Sequence, residues 1–170
     1  MLRLSGAERV MGADDLIVSK TNLKGHLTYT NHTFLEIADF SASEALGQPH
    51  ALVRNTEMPR CIFRLLWDTI QAGREIFAYV VNRTKFGDHY WVFAHVTPSF
   101  DATGSIVGYH SNRRRPRPEA VATISALYAE LLAEEARHRN GKDSVNASHA
   151  LLMRKLETLG VDYDRFVLSI

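Results

Sequence analysis

The order of strand-forming and helix-forming segments between residues 16 and 113 is the feature that most restricts the fold of this chain. Two β-rich segments come first, at residues 16–21 and 26–30, and a helical region then extends to Gly73. Three further β-rich segments follow, at residues 76–83, 89–99 and 105–113. This order favours an α+β fold, in which short helices lie on one face of an antiparallel sheet of five strands.

Local end signals divide the helical region into short helices. Asn31 is a good N-cap, because its side chain can accept a free backbone N–H at the start of a helix. Ser41 and Glu44 have the spacing of a capping box, and Gly47 ends the helix that follows them. Pro59 suits the first turn of a third helix. We therefore expect three short helices between the second and third strands.

Length, composition and charge exclude several classes of protein. A chain of 170 residues forms one domain, or one domain with an appendage, and a net charge of +1 gives no overall attraction to nucleic acid or membrane. Its one cysteine, Cys61, cannot form an internal disulfide, which favours a reducing cytoplasm. The start lacks the apolar core of a signal peptide, and no apolar run approaches the roughly 20 residues of a membrane helix. The sequence predicts a cytoplasmic protein without a membrane segment.

The composition changes after residue 113. The segment Arg113–Arg117 is basic and followed by Pro118, which predicts a solvated connector before a helix. Amphipathic spacing predicts a helix that ends at Asn140-Gly141, and a second helix over residues 147–159. The tail ends in apolar residues, and we expect it to dock on the core or on a partner.

These patterns predict three parts of the chain. Residues 1–15 are expected to form a short helix or an arm, residues 16–115 the main domain, and residues 116–170 a C-terminal helical extension.

Two motifs lie at the centre of the main domain. The first is Gly47-Gln48-Pro49-His50, followed by Val53-Arg54 and by Met58-Pro59. The second is Asn82-Arg83-Thr84-Lys85-Phe86-Gly87-Asp88-His89-Tyr90-Trp91. Together, and with the spacing between them, they resemble the PAS sensor domain of the bacterial aerotaxis-receptor type, whose members hold FAD. The resemblance extends from about residue 16 to residue 113.

The resemblance implies a set of cofactor-binding residues. They are Asn31, His50, Arg54, Asn55, Glu57, Trp67, Asn82 and Tyr90. In the family, the residues at the positions of Trp67 and Asn82 lie against the flavin ring. An aromatic side chain packs well on such a ring, and a carboxamide can pair with the donors and acceptors of its edge. Arg54 carries a planar cation that is suited to phosphate.

The function implied by the resemblance is signal sensing. A PAS domain of this type reports redox, oxygen or energy state to a partner protein, as in aerotaxis or chemotaxis, and PAS domains often pair as homodimers. The sequence shows no phosphate-binding glycine loop, no nucleophile–base pattern and no tight metal-ligand spacing. We therefore predict a signal-transduction protein and no enzyme, with a protein partner or a second copy and no nucleic acid.

Two alternatives stay open. The residues Asn55, Thr56, Glu57 and Ile76 differ from the usual family pattern, which favours a PAS module that only dimerises or docks and holds no cofactor. A haem-binding PAS sensor is the second alternative, with His50 as the candidate axial ligand.

Overall fold

The computed structural model describes residues 4–170 and confirms the α+β architecture with one antiparallel sheet. The strands are β1 Ile17–Thr21, β2 Leu27–Thr30, β3 Ile76–Arg83, β4 His89–Phe100 and β5 Ile106–Arg114. The helices are α1 His32–Ala38, α2 Ala42–Ala45, α3 Arg60–Gln71, α4 Pro118–Ala136, α5 Gly141–Leu159 and α6 Tyr163–Ser169, and a 3₁₀ turn spans His50–Val53.

The sheet has the strand order β2-β1-β5-β4-β3, so the first and last parts of the main domain meet at its centre. Strand β1 pairs with β5 over Ile17–Thr21, and β4 pairs with both β3 and β5. Side chains alternate between two faces. The inner face of β4, formed by Tyr90, Val92, Ala94 and Val96, is buried against the short helices.

The helical region follows its predicted end signals. The side chain of Asn31 caps α1, and Ser41 and Glu44 form a complete capping box on α2. Helix α3 begins at Arg60, directly after Pro59, and buries Cys61, Ile62, Thr69 and Ile70.

The amino-terminal segment forms an arm rather than a helix over its described part, residues 4–15. The N–H of Ser5 donates to the oxygen of Gly87, and the N–H of Arg9 donates to the oxygen of His89. The Arg9 guanidinium also contacts the carboxylate of Asp88 at 2.9 Å. These bonds lay the arm along the β3–β4 hairpin. The first three residues of the predicted arm, 1–3, lie outside the described residues.

The edge of β3 is covered by other parts of the chain. The hydroxyl of Tyr128 in α4 donates to the main-chain oxygen of Tyr79 at 2.6 Å, and the N–H of Val81 contacts the sulfur of Met58 at 3.4 Å. Covering of this kind protects an edge strand against pairing with another chain. The carboxyl-terminal tail docks as predicted, since α6 packs against β3 and Val167 is fully buried.

Two boundaries in the C-terminal region differ from the prediction, namely the end of α4 and the start of α5, which was expected at residue 147. Asn140-Gly141 does not end a helix, because α4 already ends at Ala136 and α5 begins at Gly141. The side chain of Asn140 accepts the N–H of Lys142 at 2.8 Å, so this residue is an N-cap. No helix within residues 4–170 is both long and apolar enough to cross a membrane.

Candidate functional site

A cavity of about 330 Å³ lies between α3, the 3₁₀ turn and the inner face of the sheet. Helix α3 contributes Phe63, Leu66, Trp67 and Ile70 to its wall. The sheet contributes Ser19, Val80, Asn82, Ala94, Val96, Tyr109, Ser111 and Arg113. A mostly apolar cavity with a few converging polar groups is the usual form of a small-molecule site.

Aromatic rings form one wall of the cavity. The rings of Trp67 and Tyr109 meet edge to face, with centroids 5.5 Å apart and planes at 86°. The backbone at Gly25 lies against the same indole, and a Cβ built there would stand 3.0 Å from the ring of Trp67. Gly25 also has φ +77°, which L side chains rarely adopt. The glycine therefore permits the close approach that holds Trp67 at the cavity.

A buried arginine lies at the polar end of the cavity. Arg113 is 3% exposed, and its Nε donates to the hydroxyl of Ser111 at 3.1 Å. Its Nη2 donates to the hydroxyl of Ser19 and to Nε2 of His50. No described carboxylate lies within ion-pair distance of Arg113, and its Nη1 has no described hydrogen-bond partner. Burial lowers the pKa of Arg113 to about 10, so the side chain keeps its charge at neutral pH.

His50 is neutral and accepts a hydrogen bond. Burial in the first place, and the charge of Arg113 in the second, lower the pKa of His50 to about 3. A guanidinium can only donate, so Nε2 of His50 is the acceptor and its ring proton lies on Nδ1. The histidine thereby orients Arg113 without neutralising it.

Further unpaired donors lie close to this end of the cavity. Asn82 in β3 is the direct cross-strand neighbour of Tyr90 in β4. Within the described part of the chain, Nδ2 of Asn82 and the hydroxyl of Tyr90 make only a weak contact with each other, and neither has another hydrogen-bond partner. Burial raises the pKa of Tyr90 to about 12, so its phenol keeps its proton. Buried donors without acceptors are costly, and a bound molecule that brings acceptors to Arg113 and Asn82 removes that cost.

The opening of the cavity carries positive charge. Lys24, Arg54 and Arg64 line the cavity and are also exposed to solvent, and we call these three residues the cationic rim. The guanidinium of Arg54 lies over the ring of Phe63, 4.5 Å from its centroid. Cations at the opening attract an anionic group that extends from a bound molecule.

Four of the residues named from the sequence line this cavity. They are His50, Arg54, Trp67 and Asn82. Tyr90 and Asn55 are fully buried nearby but do not line it. The Asn55 side chain accepts the N–H of Glu57 at 2.9 Å, which shapes the turn before α3.

Asn31 and Glu57 lie away from the cavity. The carboxamide of Asn31 accepts the N–H groups of Val18 and Phe34 and donates to the oxygen of Leu16 at 2.7 Å. These bonds tie β1, and the residue before it, to the start of α1. The side chain of Glu57 is exposed at the turn before α3.

The sequence places Arg113 both at the end of the predicted strand 105–113 and at the start of a solvated connector. The strand is confirmed, and the solvated position is wrong. Arg113 is part of β5, and its side chain follows Tyr109 and Ser111 on the inner face with the strand period of two. Arg114 and Arg115, which come next, are exposed as predicted. The strand alternation that joins Tyr109, Ser111 and Arg113 is the sequence signal that could have placed Ser111 and Arg113 on the inner face.

Cys61 and the histidines offer no separate chemical site. Burial raises the pKa of the Cys61 thiol, and Cys61 does not line the cavity. No group of three or more histidine, cysteine or carboxylate side chains within residues 4–170 is placed to hold a metal ion.

Comparison with known families agrees with the fold. The sequence model of the PAS fold matches residues 27–113. The chain belongs to the PAS family. The match begins at β2 and ends at Arg113, so it includes every strand except β1 and nearly all of the cavity wall.

Characterised relatives are sensors and regulators. The chain is 36% identical over 142 residues to the aerotaxis receptor of Escherichia coli (strain K12), a match that covers 84% of this chain and 26% of the receptor. It is 25% identical over 97 residues to the nitrogen fixation regulatory protein of Klebsiella pneumoniae, covering 57% of this chain and 20% of that protein. This chain is a PAS sensor domain similar to that of the aerotaxis receptor, and it spans about a quarter of the receptor's length.

Solved structures share the fold. The light-state structure of the blue-light photoreceptor Aureochrome1 LOV superposes with a TM-score of 0.56 at 19% identity, covering 67% of this chain and 88% of that one. A PAS domain from Colwellia psychrerythraea gives a TM-score of 0.55 at 17% identity, covering 59% and 86%. At these identities the likeness concerns the fold alone.

Proposed function

We propose that this PAS domain is a redox sensor that holds a flavin, FAD, in the cavity beneath α3 and reports its state to a partner protein. The observation that carries the proposal is the pair of buried donors at the polar end of an aromatic-walled cavity, Nη1 of Arg113, which has no described partner, and Nδ2 of Asn82, which has only a weak contact with Tyr90. The resemblance to the aerotaxis-receptor type, which holds FAD, supports the same choice.

The residues present fit a flavin ring. Trp67 and Tyr109 offer aromatic surface, and Arg113 and Asn82 offer donors to the acceptor atoms of a ring edge. When bound, a flavin supplies a ring whose charge and hydrogen-bonding pattern change with its redox state. Around that ring, Arg113 holds a fixed positive charge, and His50 keeps the guanidinium in place.

The size of the cavity and the charge of its rim favour FAD over a smaller flavin. A volume of about 330 Å³ lies at the lower end for ligand sites, which suits the ring and leaves the diphosphate and adenosine outside. The cationic rim of Lys24, Arg54 and Arg64 is placed to meet the diphosphate as it leaves the opening. This gives Arg54 the phosphate-binding role that its residue type suggests.

The other predicted site residues do not line the cavity, and they have supporting roles in this proposal. We propose that Tyr90 and Asn55 support the cavity wall, while Asn31 and Glu57 position β1, α1 and the turn before α3. We propose that Asn82 responds first to a change in the redox state of the flavin, because a carboxamide can exchange donor and acceptor by rotation.

Haem is the weaker candidate in this cavity. Nε2 of His50 is already the acceptor for Arg113 at 2.6 Å, and no other lining residue except His110 carries an imidazole. A guanidinium beside the ligating nitrogen opposes the approach of a positively charged iron centre.

We propose that the sensing unit comprises residues 16–115, with the arm 1–15 and the helical extension 116–170 as its accessories. The signal leaves through a protein contact, made with a partner or with a second copy of the chain, and the cytoplasm is the proposed setting. Nucleic acid is not a proposed ligand.

Titration of the cofactor-free protein with FAD, FMN and riboflavin tests the proposal. We expect saturable quenching of tryptophan fluorescence, because Trp67 lines the cavity, and tighter binding of FAD than of riboflavin because of the cationic rim. Equal affinities for FAD and riboflavin would show that the cationic rim does not contribute to binding. A protein that binds none of the three would support the cofactor-free docking module instead.

A further inference from the structure

A buried carboxylate joins the C-terminal region to the helix that carries the cavity wall. Glu135, near the end of α4, is 6% exposed. Its Oε1 accepts the backbone N–H of Cys61 at 3.1 Å and the hydroxyl of Ser148 at 3.0 Å. Its Oε2 accepts from Nε of Arg60 at 3.2 Å. One side chain of α4 therefore contacts both α3 and α5.

Glu135 stabilises the start of α3 and not the end of α4, the helix to which it belongs. A carboxylate in the last turn of a helix is unfavourable for that helix, because the C-terminal end is already negative. Helix α3, in contrast, follows Pro59, whose side chain has no acceptor for the first N–H groups of the helix. Glu135 supplies that acceptor to Cys61 from 74 residues away, and its charge suits the positive end of α3.

The start of α5 takes part in the same cluster. Nη2 of Arg60 donates to the hydroxyl of Ser144, and that hydroxyl donates to the main-chain oxygen of Glu135 at 2.8 Å. We call Arg60, Cys61, Glu135, Ser144 and Ser148 the Glu135 clamp. Ser144 and Ser148 are fully buried, so separation of α4 and α5 from α3 would leave several buried polar groups without partners.

The same helix lines the cavity. Phe63, Leu66 and Trp67 follow Arg60 and Cys61 along α3, within about two turns, and line the cavity. The charge of the clamp also acts at the cationic rim. Burial lowers the pKa of Arg54, the Arg60 charge lowers it further, and the Glu135 charge raises it. Helix α3 thus belongs to both regions, with polar contacts to α4 and α5 at its start and aromatic contacts to the cavity farther along.

We propose that the Glu135 clamp couples occupancy of the cavity to the docking of α4 and α5, so that these two helices carry the signal out of the domain. This inference rests on the proposed function, since it takes FAD as the occupant. A ligand that fixes α3 through Phe63 and Trp67 also fixes the N–H groups that Glu135 binds. By linkage, the docked helices must increase the affinity for FAD by the same factor as FAD increases their docking.

Hydrogen exchange of the full chain, with and without FAD, tests the coupling. In the wild type, FAD is expected to slow exchange of the amides over residues 131–150 by about fivefold or more, a typical lower value for coupling between sites. Glu135→Gln keeps an acceptor but removes the charge. It is expected to lose most of this effect and to weaken FAD binding by the same factor.

Glu134→Gln is the matched control. Glu134 is the adjacent residue and bonds only to Arg137 and His138 among the described residues, away from α3. This variant is expected to behave as the wild type does. The comparison of the wild type with and without FAD depends on neither variant, so a destabilised Glu135→Gln protein does not prevent the test.

Each result has one meaning. If FAD binds the wild type but exchange in α4 and α5 stays unchanged, the coupling is contradicted and the flavin site stands. If Glu135→Gln keeps the full effect of FAD, the clamp is contradicted as its route. If the wild type does not bind FAD, which its absorption spectrum reports independently, the proposed function fails and the inference fails with it.

Discussion

Arg113 donates a hydrogen bond of 2.6 Å to Nε2 of His50, inside the cavity of this PAS domain. The pair contains one fixed charge and one neutral ring, with no carboxylate at ion-pair distance among the described residues. A buried cation without an anion is expensive unless a ligand uses it. The pair therefore supports the proposal that the cavity receives an electron-rich molecule.

Replacement of Arg113 is expected to weaken FAD binding without a large change in the free energy of unfolding. Arg113→Met keeps the approximate volume of the side chain and removes both the charge and its desolvation penalty. We expect the free energy of unfolding without cofactor to change by less than about 2 kcal/mol, because this gain offsets the loss of bonds to Ser19, Ser111 and His50.

The same variant should lose FAD affinity by a factor of about 10 or more, since a fixed charge near the ring contributes a charge-assisted hydrogen bond. Urea unfolding and FAD titration measure the two quantities. Unchanged affinity would show that Arg113 does not contact the ligand.

The depressed pKa of His50 makes stability depend on pH. Its pKa is about 3 in the folded protein and 6.5 in the unfolded chain. Between these values the unfolded chain binds a proton that the folded chain does not, so stability falls as the pH decreases from 6.5 towards 3. The contribution is at most roughly 1.4 kcal/mol per pH unit.

His50→Gln removes this titration and retains an acceptor for Arg113. Urea unfolding of both proteins at about pH 7 and about pH 5 should give a smaller loss of stability for the variant. Carboxylates that titrate in both proteins cancel in the comparison. An equal loss in the two proteins would show that His50 is protonated in the fold.

The contact between Gly25 and Trp67 predicts a specific effect of a single methyl group. Gly25→Ala would place a Cβ 3.0 Å from the indole and impose an alanine on φ +77°. The strain costs about 1 kcal/mol, and displacement of Trp67 should weaken FAD binding as well.

Gly104→Ala is the control for this variant. Gly104 has φ +81°, but no described atom lies within 4 Å of its built Cβ. It should show a similar loss of stability in thermal unfolding and full FAD affinity. Equal affinities for the two variants would contradict the role of the Gly25 contact.

The two tryptophans of the chain provide a further comparison. Trp67→Ala and Asn82→Ala should each lower FAD occupancy strongly and leave the fold intact, because both residues line the cavity. Trp91 lies on the other face of the sheet, where it stacks on Tyr128.

Trp91→Ala should destabilise the protein by roughly 2 kcal/mol or more, as loss of a large packed ring does, yet retain FAD. The ratio of flavin to protein after purification gives the readout. Normal occupancy in both Trp67→Ala and Asn82→Ala would mean that the cavity is not the flavin site.

The sequence predicted the fold well, because its local signals were strong. Turn residues and β-rich segments placed all the strands to within a residue or two, and Ser41 and Glu44 marked α2. Asn31 is predicted both to cap α1 and to bind the cofactor. The cap is confirmed, and the other bonds of its carboxamide lead to Leu16 and Val18.

The polar end of the cavity depends on distant pairing instead. Ser19 comes to Ser111 through the register of β1 and β5, and Arg113 comes beside Ala94 through the register of β5 and β4. Strands β1 and β5 are far apart in sequence, and their register is set by the packed fold. Local composition therefore does not show that Arg113 lies beside Ser19, and it groups Arg113 with the exposed arginines that follow.

The measurement that tests the central claim most directly is the visible absorption spectrum of the purified chain before and after addition of dithionite. We predict flavin absorption bands that bleach with dithionite and return in air. The bands are expected in the protein as isolated or after incubation with FAD. A haem absorption band would identify haem, and not FAD, as the cofactor. A colourless protein that FAD does not reconstitute would contradict the flavin sensor and leave a PAS module that acts by docking alone.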